Sequence, residues 1–214
     1  MRLYETDVKK VVDALPDDVR DFIKDHNITL AGGFIRAVLA GEEISDIDLF
    51  SESEQEAELL AEDFSAAVML DSLETENAYT IRHPIYPVQF IHRWTFDNPN
   101  DLIASFDYTV AQAAIWFQDG AWKSVAANTF LDDLHAKRLT YTAPDRHEDA
   151  GGSLLRMRKF LKRGYDISSY DMAKVIARML NGVDMDAFPY QTENSRALQI
   201  NEVLTDAYGE PVND

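Results

Sequence analysis

The stretch AGGFIRAVLAGEEISDIDLF, residues 31–50, decides how this chain is expected to fold. It continues the apolar segment ITL, so the first residues are predicted to form a short strand. Two glycines, Gly32 and Gly33, follow that strand, and a helix is predicted from there to Gly41. A second strand, SDIDLF, comes next. The order is therefore strand, Gly-Gly, helix, strand.

The second strand carries two carboxylates, Asp46 and Asp48, two residues apart. Side chains two apart on a strand point to the same face, whereas Ile47 and Leu49 are predicted to turn into the core. Two neighbouring carboxylates repel each other, and a divalent cation such as magnesium removes that penalty.

The glycines leave the backbone open at the start of the helix, where N–H groups and the helix dipole attract phosphate. A phosphate site next to a metal-binding pair predicts a nucleoside triphosphate site. Each feature also has a plain structural explanation, because Gly-Gly is often only a tight turn and Asp-x-Asp is often a solvated strand edge. Their combination in this order is more specific than either alone.

The segment GGFIRAVLAGEEISDIDLF resembles the signature of the DNA polymerase beta nucleotidyltransferase superfamily. It is most similar to the head domain of bacterial poly(A) polymerases and CCA-adding tRNA nucleotidyltransferases. Two later regions resemble the same enzymes. SFDYTVAQAAI places Asp107 and Thr109 on the family's aspartate and threonine, and DLHAKRLTY with LLRMRKFLKRGYDI resembles the family's neck. The likeness spans roughly residues 29–167.

The resemblance implies a catalytic metal site. Asp46 and Asp48 would hold one or two Mg²⁺ (or Mn²⁺) ions that bind the triphosphate and assist in-line attack, with pyrophosphate leaving. A two-metal site usually needs a third acidic ligand, and Asp107 is the candidate for it. The alternative for Asp107 is a cap or turn residue.

The resemblance also implies a set of nucleotide-binding residues. Gly32 and Gly33 would cradle the phosphates, and Arg36, one turn into the helix, could reach them. Arg156 and Lys159 lie in the basic run RMRKFLKR and could line the cleft for nucleotide or an RNA end. An ordinary surface arginine and a solvated helix face are the alternatives.

The chain departs from the family pattern at several positions. Ala37 replaces an aspartate after the signature arginine, and Ser105–Phe106 replaces a pair of arginines. Gln89 stands on the strand where a third acidic residue is expected. Glu148–Asp149 begins the element that selects the base in CCA-adding enzymes, but the first arginine after it is Arg156. These departures, with a short tail, favour a compact, divergent member over a CCA-adding enzyme.

The remaining pattern predicts an α+β fold. The resemblance implies a nucleotidyltransferase head with a small mixed or antiparallel sheet flanked by helices over residues 1–135, and a helical neck and C-terminal region over 136–214. Leu59, Leu60 and Phe64 are predicted to share one face of a helix. Asp119–Gly120 is predicted to close a hairpin.

Composition limits the possible classes of protein. The 214 residues include no cysteine, which excludes thiolate chemistry and disulfides. No apolar run approaches the ~20 residues of a membrane span, and no signal-peptide core is present, so a cytoplasmic protein without membrane association is expected. The net charge of −18 argues against nonspecific coating of nucleic acid.

Three functions are consistent with these patterns. The first is template-independent transfer of NMP from an NTP to an RNA 3′ end, most plausibly of tRNA. The second is nucleotidylation of a protein or small-molecule hydroxyl, as in toxin–antitoxin or phage-related proteins. The third is a catalytically inactive nucleotide-binding module. The sequence predicts neither the preferred base nor the oligomeric state.

Overall fold

The computed structural model describes residues 1–144 and 151–206. The chain divides into two compact units, Met1–His135 and Ala136–Asp214. The first is a mixed sheet flanked by helices, so the expected α+β class is confirmed. Within the described residues, no helix is both long enough and apolar enough to cross a membrane.

The first unit alternates helices and strands along the chain. Its α-helices are α1 (Glu5–Ala14), α2 (Asp17–Asp25), α3 (Gly33–Ala40), α4 (Glu54–Val68), α5 (Pro99–Ala104) and α6 (Phe130–His135). Its strands are β1 (Thr29–Ala31), β2 (Ile47–Phe50), β3 (Ser72–Glu74), β4 (Ala78–Ile81), β5 (Val88–Ile91), β6 (Ala113–Gln118) and β7 (Ala121–Ala126). A short 3-10 turn, Thr109–Ala111, precedes β6.

The strands form one sheet in the order β3-β4-β5-β2-β1-β6-β7. Only β2 and β5 are paired in parallel; the other pairings in this sheet are antiparallel. The predicted succession of strand, glycines, helix and strand is present as β1, α3 and β2. Strand β2 lies at the centre of the sheet, so the residues on it are held by neighbours on both sides.

The two faces of the sheet are buried differently. Ile47 and Leu49 of β2, and Val88 and Phe90 of β5, are almost completely buried on one face. Helix α4 packs against β4 and β5 there, and Phe64 lies 5.8 Å from Phe90 between ring centroids. On the opposite face, helix α5 contacts β6 and β7.

The hairpin at Asp119 and Gly120 is confirmed. Strands β6 and β7 pair from Gln118↔Ala121 outward. Asp119 has a φ of 54° and Gly120 a φ of 73°, which is the left-handed conformation that two-residue hairpin turns require.

The expectation that Leu59 shares the buried face of α4 was wrong. Leu59 is 55% exposed, whereas Leu60 and Phe64 are buried. The buried face of α4 consists of Ala57, Leu60, Ala61 and Phe64, and Leu59 lies outside this face. Strand β3 was not predicted; all three of its residues are exposed, and an edge strand with no buried face leaves little pattern in the sequence.

The second unit is mainly helical. Its elements are β8 (Arg138–Leu139), α7 (Gly152–Lys162), β9 (Asp166–Ile167), α8 (Ser169–Leu180) and α9 (Glu193–Asp206), with a 3-10 turn at Phe188–Tyr190. Strand β8 pairs in parallel with β9, so this region contains two short strands beside its helices. Helix α7 packs against α8.

Candidate active site

The candidate site is built around the start of β2. Asp46 immediately precedes the strand and Asp48 lies in it. Ile47 and Leu49 are 0% and 1% exposed, and this burial fixes the strand so that the two aspartates project from the other face. The structure therefore brings Asp46 and Asp48 together as predicted.

The carboxyl group of Asp48 lies in an unusual electrostatic environment. The residue retains some solvent access, yet burial raises the pKa of Asp48 to about 8. The Asp46 carboxylate adds to this rise, and the Arg36 guanidinium opposes it. Asp46 accepts a hydrogen bond of 2.8 Å from the hydroxyl of Ser45. A carboxylate pair with this penalty is a suitable donor set for a hard divalent cation.

Gln89 lies beside Asp48 on the adjacent parallel strand. Their Cα atoms are partners in the register of β2 and β5, and Thr80 of β4 is the next partner in the same row. Asp48, Gln89 and Thr80 thus form a polar row across one face of the sheet. Gln89 is uncharged, and it stands at the position where the family resemblance predicts a third acidic residue.

An apolar cluster lies on the same face of the sheet, farther along the strands. Phe50 and Ile91 are Cα partners at the far end of β2 and β5. They pack with Leu102 and Ile103 of α5, and Phe106 is partly buried against them. This cluster closes one side of the polar row.

The Gly-Gly turn has a conformation that only glycine adopts readily. Gly32 has φ 77° and ψ −122°, immediately before the first residue of α3. A Cβ atom at Gly32 would lie 3.3 Å from the ring of Phe106. Its N–H donates to the carbonyl of Ala113 at 3.0 Å. The expectation that both glycines offer free N–H groups was therefore wrong for Gly32.

The first turn of α3 still provides phosphate-type donors. The N–H groups at the start of an α-helix have no acceptor within the helix, and here they begin at Gly33. The helix dipole adds partial positive charge at this end. Any phosphate contact from the turn would come from Gly33 onward and not from Gly32.

Arg36 is buried, not displayed on the surface. It is 5% exposed, and its Nε donates to Glu42 Oε2 at 3.2 Å. The guanidinium also lies close enough to Asp48 to lower the pKa of that carboxyl group. The surface-arginine alternative is excluded by this burial, whereas phosphate binding by Arg36 stays a prediction.

Asp107 is buried, at 3% exposed, in the segment before the 3-10 turn. Among residues 1–144 and 151–206, no three His, Cys, Asp or Glu side chains form a group able to hold one metal ion. The structure thus does not join Asp107 to Asp46 and Asp48 as a three-ligand set, and its role as a ligand stays a prediction.

A hydrogen-bonded network that sequence reasoning missed anchors this segment. Asp133 of α6 is fully buried and accepts hydrogen bonds from the hydroxyls of Thr109 at 2.6 Å and Thr129 at 2.9 Å. The family resemblance points to Thr109, but nothing in the sequence connects it to Asp133, 24 residues away.

Arg156 and Lys159 lie on α7 of the second unit. Arg156 is partly buried, with its guanidinium 3.3 Å from the position of a Cβ at Gly152, and Lys159 is exposed. Their role in nucleotide binding stays a prediction. Glu148 and Asp149 lie outside the described residues.

Comparison with known proteins gives two kinds of likeness. A family model described as Gabija anti-defense 2 family protein matches residues 2–137. The protein Gabija anti-defense 2 of Bacillus phage SPbetaL7 is 24% identical over 174 residues, which is 81% of this chain and 42% of that protein. The chain therefore spans less than half the length of this curated relative.

Solved structures of CCA-adding enzymes share the fold. The Thermotoga maritima CCA-adding enzyme complexed with tRNA matches with a TM-score of 0.60 and 15% identity, covering 94% of this chain and 50% of the enzyme. A CCA-adding enzyme in complex with ATP matches with a TM-score of 0.63 and 15% identity, over 96% and 51% of the two chains. At this identity the likeness establishes a nucleotidyltransferase-like fold.

Proposed function

Because the chain belongs to the Gabija anti-defense 2 family and has a nucleotidyltransferase-like fold, we propose that it is a metal-dependent nucleotidyltransferase. It moves NMP from a nucleoside triphosphate to an acceptor hydroxyl. The observation that carries the proposal is the placement of Asp46 and Asp48 together at the start of a central strand, β2. A purely structural strand has little use for a carboxyl group whose pKa is raised by burial and by a neighbouring carboxylate, as that of Asp48 is.

The chain's own residues have separable tasks in this reaction. Asp46 and Asp48 would hold a magnesium or manganese ion, and that ion would neutralise charge on the triphosphate. The N–H groups of the first turn of α3 bind phosphate oxygens. The acceptor oxygen forms a bond to the α-phosphorus, the bond from that phosphorus to the bridging oxygen breaks, and pyrophosphate leaves. The hydroxyl proton passes to solvent or to a carboxylate.

One candidate acceptor is an RNA 3′ end. It is favoured by the exposed side chains of Arg158, Lys159 and Lys162 on α7, which place positive charge on an otherwise acidic chain. The Thermotoga maritima CCA-adding enzyme, which shares the fold, is complexed with tRNA in its solved structure. This candidate predicts that the labelled product is sensitive to ribonuclease.

The second candidate acceptor is a hydroxyl on a protein or small molecule of the bacterial defence machinery. The family name supports this choice, because a phage protein that counters Gabija must act on some part of that defence or on its signals. The net charge of −18 also disfavours binding to RNA through its phosphates. This candidate predicts label in the protein or small-molecule fraction.

The test is a transfer assay without a preselected acceptor. The purified full chain is incubated with Mg²⁺, each α-labelled NTP in turn, and extract from cells with or without a Gabija system. Label is then sorted into RNA, protein and small molecules. Asp46→Ala serves as the blank and Asp71→Ala, at an exposed aspartate, as the matched control.

The outcomes separate the alternatives. Label that is lost in Asp46→Ala but kept in Asp71→Ala supports nucleotidyl transfer. The fraction that contains the label identifies the class of acceptor. Label that appears only with the Gabija extract assigns the acceptor to the defence system. Nucleotide binding without label in any fraction would indicate the inactive binding module instead.

A further inference from the structure

We propose that Gln89 makes metal binding depend on nucleotide: the site takes a divalent ion together with a triphosphate and does not retain the ion alone. This inference rests on the proposed function, since it concerns the same Asp46–Asp48 site. It assigns to Gln89 the role of setting the charge of that site.

The geometry places Gln89 where a third ligand would stand. Asp48 and Gln89 are Cα partners on adjacent parallel strands, so their side chains leave the same face about 5 Å apart. The flanking residues Val88 and Phe90 are completely buried on the other face, which fixes this orientation. A carboxylate at position 89 would adjoin the pair; the carboxamide that is present has no charge.

The charge present at the site is low for a free divalent ion. Two carboxylates supply at most two negative charges, and the buried Arg36 guanidinium is near enough to act on Asp48. Within the part of the chain that the structure describes, no third acidic or histidine side chain completes a metal-binding group. Hard cations prefer several oxygen ligands. A triphosphate provides the missing charged oxygens.

The consequence is a reciprocal coupling between two ligands. If triphosphate raises the affinity for the ion by some factor, the ion must raise the affinity for triphosphate by the same factor. A third carboxylate at position 89 would weaken this coupling, because it would provide part of the negative charge that otherwise comes from the triphosphate.

The test measures binding of Mn²⁺ to the full chain by electron paramagnetic resonance. Mn²⁺ is titrated alone and with each of the four α,β-methylene nucleoside triphosphates, corrected for Mn²⁺ held by free nucleotide. We expect the best analogue to raise Mn²⁺ affinity at least about tenfold in the natural chain. Gln89→Asp is expected to bind Mn²⁺ alone about tenfold more tightly and to show a smaller effect of nucleotide.

Thr80→Asp is the matched control. It adds the same charge to the same row, one strand farther from Asp48, and should change Mn²⁺ affinity by less than about threefold. Urea unfolding of each variant checks that it folds, and Gln89→Glu replaces Gln89→Asp if the shorter side chain prevents folding.

Each outcome has a distinct meaning. Tight binding of Mn²⁺ alone to the natural chain would overturn the coupling while leaving nucleotidyl transfer intact. Equal gains in Gln89→Asp and Thr80→Asp would overturn the assignment to Gln89. Absence of Mn²⁺ binding even with every analogue, together with no label transfer, would overturn the proposed function as well.

Discussion

A Cβ atom at Gly32 would lie 3.3 Å from the Phe106 ring, at a backbone conformation with φ 77° and ψ −122°. Both features demand glycine, and neither involves a ligand. Folding requirements alone therefore call for glycine at the turn before α3. The ring of Phe106 covers this turn.

Gly32→Ala should destabilise the chain by about 2–4 kcal/mol, because it combines backbone strain with the close contact to Phe106. Gly41→Ala is the matched control. Gly41 also has a positive φ, 68°, but lies in the left-handed helical region and has nothing within 4 Å of its Cβ position. It should cost only about 1 kcal/mol. Urea unfolding measures both, and equal losses would contradict the role given to Phe106.

The local order of elements around the site could be predicted from the sequence because it depends on local signals. Glycines with positive φ mark the ends of α3, and the alternation in IDLF fixes which side chains of β2 face the core. The register that places Gln89 beside Asp48 was suggested only by family resemblance. Strand pairing between residues 41 positions apart depends on long-range packing and leaves no local pattern.

The buried contacts of the site were beyond prediction for a similar reason. Arg36 carries a full charge and reads as a surface residue, yet Glu42 pairs with it in the interior. The Gly32 N–H was expected to be free, but the sheet bond to Ala113 uses it. The Arg36–Glu42 ion pair and the Gly32–Ala113 hydrogen bond both depend on tertiary structure, which local sequence patterns do not encode.

Asp46→Ala and Asp48→Ala should each abolish nucleotide transfer, because each removes one of the two carboxylates proposed to hold the ion. The same changes should leave the stability of the fold unchanged or raise it by about 1 kcal/mol, since they relieve like-charge repulsion and the burial of a carboxylate. Transfer assays and urea unfolding are run on the same preparations. If the double variant still transferred nucleotide, the metal-site interpretation would be wrong.

Stability should fall with rising pH because of Asp48. Its pKa in the folded chain is raised from the ordinary value of 3.8 to about 8, so the folded state binds more protons than the unfolded state between these values. The stabilisation is complete below about pH 4 and is lost as pH rises through 8. Between pH 6 and 8, without divalent ions, the loss should be up to about 2–3 kcal/mol.

Asp48→Asn isolates this effect from the titration of the histidines. The difference in unfolding free energy between the natural chain and Asp48→Asn should change with pH over this range, whereas the difference for Asp71→Asn should stay constant. Parallel curves for Asp48→Asn and the natural chain would show that Asp48 ionises normally in the folded state.

The Thr109–Asp133–Thr129 network should stabilise the segment that carries Asp107. Asp133 is fully buried and accepts both hydroxyls, so Asp133→Ala leaves two donors without their acceptor and should cost about 3–5 kcal/mol. Thr109→Val should cost about 1–2 kcal/mol, and Thr129→Val less, because the Thr129 bond is only partly buried.

A double-mutant cycle tests whether Thr109 acts through Asp133. If the hydroxyl of Thr109 contributes only by its bond to that carboxylate, the loss from Thr109→Val should largely vanish in the Asp133→Ala background. Additive losses in urea unfolding would mean that the two side chains stabilise the head independently. Mn²⁺ binding in the presence of nucleotide is measured on the same variants. If Asp107 is a metal ligand positioned by this network, the Asp133→Ala and Thr109→Val variants should bind Mn²⁺ less tightly. If Asp107 is only structural, these variants should lose stability without losing affinity for Mn²⁺.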